Sequence, residues 1–119
     1  GNVTREVLDF HIQKVSELRK TGSTDIIIDP GFGFGKTAAH NFELLGNLSV
    51  FRMLNCPLLL GISRKSFIWK TTGLGADEAL NGTIALHAIG LMNGATILRV
   101  HDVKEAVQTI QLWSACQSV

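Results

Sequence analysis

At 119 residues the chain is sized for one domain, and 45% hydrophobic with 18% charged residues places it among globular rather than disordered chains. A net charge of +1 without a basic stripe argues against a nucleic-acid partner. The longest apolar stretch, residues 83–92, is interrupted by His87 and too short to span a bilayer, and the first residues lack a signal-peptide pattern, so a cytoplasmic chain without membrane contact is expected.

Residues 4–20 read as a helix. Leu8, Ile12, Val15 and Arg19 recur at helical spacing, Leu18 widens the stripe, Thr4 can cap the start, and Lys20 with Gly22 suits the end. The stretch 25–36, DIIIDPGFGFGK, follows. Its three isoleucines predict a strand at about 25–29, buried on both faces as in parallel sheets. Asp29 sits where that strand ends, and is either a ligand contact or a turn residue. Pro30 with Gly31 marks a turn, and the alternating glycines allow backbone to approach a ligand closely. Phe32 and Phe34 are out of keeping with an ordinary solvated loop. A second helix is expected at about 38–54, with Thr37 as N-cap and Phe42, Leu45, Leu48 and Phe51 on its apolar face. After Pro57 a second buried strand, about 58–62, ends abruptly in the polar cluster Ser63, Arg64, Lys65, Ser66. Residues 67–76 are loop or short helix. Asp77 can cap a third helix, about 78–92, in which Ala79, Ala85, Ala88 and Gly90 favour close packing on a sheet. Asn93-Gly94 ends it. The third strand, about 96–100, leads to His101 and Asp102. Asp102 with Glu105 imitates a capping box for a last helix at about 103–116, on which Val103, Val107, Ile110 and Trp113 share a face.

The order is a helix followed by three strand–helix units. Asp29, Lys65 and Arg99 are 36 and 34 residues apart, one unit each time, although the intervening sequences are not similar. Strands alternating with helices imply an α/β fold with a parallel sheet and right-handed crossovers. All strand C-termini then lie on one face, where ligands bind in barrels and open sheets alike. Three strands deliver Asp29; Ser63, Lys65 and Ser66; and Arg99 with His101, the last two on one side if the strand stays extended. One acid, two fixed cations and an imidazole suit an anion joined to a polar heterocycle; the alternative is that they pair with one another as salt bridges. The glycine spacing excludes two nucleotide motifs, because 31–37 lacks one residue for a phosphate-binding G-x-x-x-x-G-K-[ST] loop and G-x-G-x-G is not the dinucleotide G-x-G-x-x-G. His11, His40 and His87 lie within helices without paired ligand spacing, and Trp69 and Trp113 read as packing residues. Cys56 and Cys116 lack metal-type spacing and read as free buried thiols of a reducing compartment rather than a disulfide.

Three motifs in order, DPGFGFGK (29–36), GISRKS (61–66) and RVHD (99–102), resemble the C-terminal half of the dihydropteroate synthase family of folate biosynthesis, across roughly residues 4–115. The resemblance implies a transferase with a (β/α)8 barrel that joins 6-hydroxymethyl-7,8-dihydropterin pyrophosphate to 4-aminobenzoate, needs Mg2+, and is inhibited by sulfonamides. On that basis the chain is the last three βα units of such a barrel, one partial pterin-binding domain over 1–119 that does not close the barrel alone. The implied pterin contacts are Asp29, Gly33, Phe34, Gly61, Lys65 and Arg99. Phe34, Lys65 and Ser66 would border the aminobenzoate. Arg99 and His101 would hold pyrophosphate, and Lys65, Arg99 and His101 carry the catalytic roles. No metal ligand is expected in this chain; the family's Mg2+-binding Asn lies in the N-terminal half, which is absent from this sequence. A homo-oligomer, a dimer in the parent enzyme, is also implied.

Two further readings compete. One is a pterin-binding module of a methyltransferase, disfavoured by the cation clusters because a methyl-pterin carries no pyrophosphate. The other is a non-catalytic piece whose edges pair with another chain. The strand assignments predict Ile27, Leu59 and Ile97 on the face that would be barrel interior, and bare edges on the two outer strands. The 119-residue chain alone is expected to be inactive.

Overall fold

The computed structural model describes residues 2–33 and 35–117. Helix α1 (Val3–Lys20) opens the chain. Helix α2 (Ala38–Gly46) and a 3-10 segment (Leu48–Leu54) follow the glycine loop. Strand β1 (Leu59–Leu60) leads into α3 (Ser66–Thr72), a 3-10 turn (Ala76–Glu78) and α4 (Leu80–Met92). Strand β2 (Ile97–Leu98) precedes α5 (Val103–Gln117). The α/β class stands, but helix outweighs strand.

The first predicted strand is reduced to one parallel bridge, Ile28 to Leu58, made by Ile28 N–H donating to Pro57 O (2.9 Å) and Leu59 N–H to Ile28 O (2.7 Å). In a parallel ladder only alternate residues bond to a given neighbour, and Pro30 stops the run, so a segment paired on one side keeps a single bonded residue. β1 and β2 pair in parallel, Leu59 with Ile97 and Leu60 with Leu98. Arg99 N–H donates to Leu60 O at 3.1 Å. The 38-residue offset outruns the strands: Leu58–Thr96, Ser63–His101 and Arg64–Asp102 are bonded at the same separation.

One side of the pairing faces the helices. Ile28, Leu58, Leu60 and Ile62 are buried there with Phe32, Leu44, Leu45, Leu48 and Phe51. Gly90 of α4 lies directly on Leu60; a Cβ at Gly90 would collide with Leu60 Cδ2, so the missing side chain sets the closeness of this helix to the sheet. The other face is open. Ile27 is 57% exposed, and Leu59 and Ile97 are half-buried, so the isoleucine run is buried on one face only. Among the described residues nothing else covers that side.

Several local expectations change for identifiable reasons. Thr37 caps α2 as predicted, accepting from His40 N–H at 3.1 Å. The long helix over 38–54 is instead divided at Gly46-Asn47, where Asn47 turns its Nδ2 back to Glu43 O at 2.8 Å. Thr4 does not cap α1; it lies inside the helix, with N–H and hydroxyl 3.4 Å from Glu43 Oε2. Asp77 sits in the 3-10 turn, and Ala79 is the N-cap of α4 without a side-chain bond. The Asp102 carboxylate is drawn to Arg64 rather than to the first turn of α5. Ala106 and Thr109 are the buried residues of α5, while Val103, Val107 and Ile110 of the predicted apolar stripe are exposed. Both cysteines are free thiols; Cys56 is half-buried, whereas Cys116 lies exposed near the end of α5.

Candidate functional site

The residues beyond the strand ends surround an open cavity of about 670 Å³ lined by Asp29, Gly31, Phe32, Gly33, Gly35, Gly61, Lys65, Ser66 and Arg99. Three chain segments 36 and 34 residues apart thus bring their charged ends to one place. Gly61 leaves space beside them: a Cβ there would lie 3.6 Å from Leu59 Cδ2, 3.9 Å from Arg99 Nη1 and 4.0 Å from Lys65 Nζ.

Asp29 is a turn residue that also lines the cavity. Its Oδ1 accepts from Gly31 N–H at 3.0 Å, a local turn bond, and its Oδ2 stands 3.8 Å from Arg99 Nη2. With side chains 44% and 68% exposed, that ion pair is long and solvated, and contributes little by itself. Both partners keep capacity for a ligand.

Lys65 crosses to the glycine loop, where Nζ donates to Phe32 O at 2.6 Å. Partial burial lowers its pKa below the ordinary lysine range; Asp29 opposes that shift, and Arg99 and Lys36 add to it. Phe32 is fully buried beneath the loop, which accounts for an aromatic residue there. Phe34 falls outside the described residues. His101 does not line the cavity. It lies beside it with Nδ1 2.8 Å from Ser63 Oγ, which also accepts the His101 N–H at 3.2 Å.

Sequence reasoning missed the supports. Asn41, buried on α2, accepts from Gly33 N–H at 2.9 Å; Lys36 Nζ donates to Gly31 O at 2.6 Å; His11 Nε2 lies 3.1 Å from Asp29 O. Arg64, with a left-handed φ of 58°, forms a two-pronged pair with Asp102 at 2.9 and 2.8 Å, and its N–H donates to Thr83 Oγ1 at 3.0 Å. The Arg64 bond holds the Asp102 carboxyl below the usual range, and Asp102 raises Arg64 in turn. The doublet of polar residues on α2, His40-Asn41, is the one signal that could have pointed to Asn41, since the second falls on the apolar face beside Leu45.

Residues 1–101 match the family described as pterin-binding enzyme. The chain belongs to the pterin-binding enzyme family. Within it, the dihydropteroate synthase of Escherichia coli K12 is 41% identical over 119 residues, covering 98% of this chain and 42% of that protein. The Xanthomonas albilineans dihydropteroate synthase, solved with 7,8-dihydropteroate, superimposes with a TM-score of 0.94 at 37% identity, over 100% of this chain and 48% of that one. The Yersinia pestis enzyme in a sulfonamide drug complex gives 0.91 at 36%, over 98% and 43%. The resemblance drawn from the three motifs is therefore borne out. The chain spans about two-fifths of the length of this curated pterin-binding relative.

Proposed function

We propose that this chain is the C-terminal part of a dihydropteroate synthase, the last three βα units of a (β/α)8 barrel, and that its cavity holds the junction between a pterin and 4-aminobenzoate. The observation that carries the reading is the convergence of Asp29, Lys65 and Arg99 on one open cavity beside Gly61. A carboxylate opposite the amino-pyrimidine edge of a pterin makes a two-pronged charge-assisted match, which is the role assigned to Asp29. Gly33 and Gly61 allow the flat ring to approach the backbone, with Phe34 and Ser66 bordering the aminobenzoate. Lys65 stands between the two substrates. Arg99 and His101 receive the pyrophosphate, Arg99 from the cavity and His101 from its edge.

The C–O bond of the hydroxymethyl carbon to pyrophosphate breaks, a C–N bond forms to the aromatic amine, and the amine then loses one proton. The amine already has its lone pair, so stabilising the departing charge is the main demand, and fixed cations meet it. The lowered pKa of Lys65 follows from partial burial, while Asp29 acts in the opposite direction. The Mg2+ that the family implies we assign to a ligand in the part of the enzyme that this chain does not span; among the described residues no group of three His, Cys, Asp or Glu converges. No helix among the described residues is long and apolar enough to cross a membrane, and a pathway of small polar substrates suits the cytoplasm.

The test uses the full-length protein carrying this chain. Incubated with pterin pyrophosphate and 4-aminobenzoate, it should release pyrophosphate in step with dihydropteroate, and a sulfonamide should compete with the aminobenzoate. Binding of a bare pterin without affinity for inorganic pyrophosphate would favour the methyltransferase-type module instead.

A further inference from the structure

One peptide group in the cavity wall is gripped from both sides. The Phe32 carbonyl accepts from Lys65 Nζ at 2.6 Å, and the N–H of the same peptide, on Gly33, donates to Asn41 Oδ1 at 2.9 Å. In a trans peptide these two groups point in opposite directions, so Lys65 and Asn41 hold opposite edges of one rigid plane. Asn41 is 1% exposed, and its Nδ2 donates to Thr37 O at 3.0 Å, which fixes the amide with its oxygen toward Gly33. Gly33 has a φ of 95°, and a Cβ there would stand 3.1 Å from Lys65 Cδ. Glycines on this loop leave the peptide plane cheap to rotate, so its orientation has to come from side chains.

We propose that Asn41 is a positioning residue for Lys65: by fixing the plane of the Phe32–Gly33 peptide, it sets where the Lys65 ammonium stands in the cavity. The meaning of that position rests on the pterin–aminobenzoate reading, but the coupling itself does not. Lysine is a flexible stem with a point charge. Anchoring it to a carbonyl that is itself held converts it into a placed group, and the two bonds strengthen each other through the shared peptide. Asp29, Arg99 and Lys36, which set the charge around Lys65, touch neither bond to this peptide.

Two measurements on the full-length protein, neither needing substrate, test the coupling. The first is the acylation rate of Lys65 relative to exposed Lys104, read by peptide mass spectrometry. Asn41→Leu should raise it by about threefold or more, because the carbonyl that holds the ammonium is released. Asn41→Asp, which keeps an acceptor for Gly33 N–H, should stay within about twofold of the unsubstituted protein. The second works from the other side: Lys65→Met, with Asn41 intact, should speed hydrogen exchange at Gly33 N–H by about fivefold or more. An unchanged Lys65 rate in folded Asn41→Leu, or an equal change in Asn41→Asp, overturns the proposal. If Asn41→Leu does not fold, unchanged Gly33 exchange in Lys65→Met overturns it alone.

Discussion

Asp29 spends one oxygen on the Gly31 turn and leaves the other near Arg99, so its removal has a local and a ligand-directed effect. In the full-length protein, Asp29→Ala should weaken a bare pterin by roughly ten- to a hundredfold, since a hydrogen bond to a charged group contributes about 1.5–3 kcal/mol. Arg99→Ala should instead weaken pyrophosphate-bearing ligands more than bare pterin, and lower turnover more than binding. Calorimetry with both ligands on both variants separates the roles; unchanged pterin affinity in Asp29→Ala would reduce it to a turn residue. His87 carries a second residue-level prediction. It is buried on α4 with Nε2 unpartnered, and burial lowers its pKa while Asp102 opposes the shift. The unfolded chain therefore takes up the proton first, so this contribution to stability is full above about pH 6.5 and is lost as pH falls through the lower folded value. Denaturant midpoints measured from pH 7.5 downward should show this acid slope, and His87→Leu should flatten it. The charged strand ends were legible in the sequence because a β-branched or leucine run stops at each one. Asn41 was not, because a buried polar side chain has no period and its partner lies in a separate segment.

At the level of elements, α4 is the tightest fit. Its thinness was readable from Ala85, Ala88 and Gly90, and Gly90 is where that thinness is used, against Leu60 and Leu45. Gly90→Ala gains helix propensity of up to about 1 kcal/mol but must push Leu60 aside, an overpacking cost of about 1–3 kcal/mol. Urea unfolding should show a net loss of stability; a gain would mean that Leu60 can move freely. The α2 boundary was missed because apolar spacing continues through Leu48 and Phe51, while Gly46-Asn47, a stop signal, lay beneath that pattern. The stripe on α5 misled for the opposite reason. Small residues, Ala106 and Thr109, face inward so that α4 and α5 can approach, and the larger apolar side chains are left outside.

The whole molecule presents one buried and one open sheet face. Ile27 on the open face is more than half exposed, and neither outer strand has a second neighbour among the described residues. Bare edges and apolar surface favour association. The 119-residue chain should therefore self-associate at high concentration, and a sharp monomer by light scattering would count against this. The isoleucine run by itself read as a strand buried on both faces, and the open face was expected only from the family resemblance; parallel order was readable from the alternation of runs. Strand length was not, because it depends on neighbours.

The constant offset of 38 from Leu58–Thr96 through Arg64–Asp102 has a consequence for chain length. Sheet pairing, the Ser63–His101 contact and the Arg64–Asp102 brace share one count, so adding a single residue between Leu60 and Gly61 shifts the later contacts together and turns the following residues to the opposite face. Adding one at Gly75, in the exposed turn before α4, changes only the span of a connection, whose cost grows slowly with length. Insertion scanning should find the first site intolerant and the second permissive, with thermal midpoints as the readout. Substitutions in this chain can be judged one residue at a time; deletions and insertions have to be judged against that count.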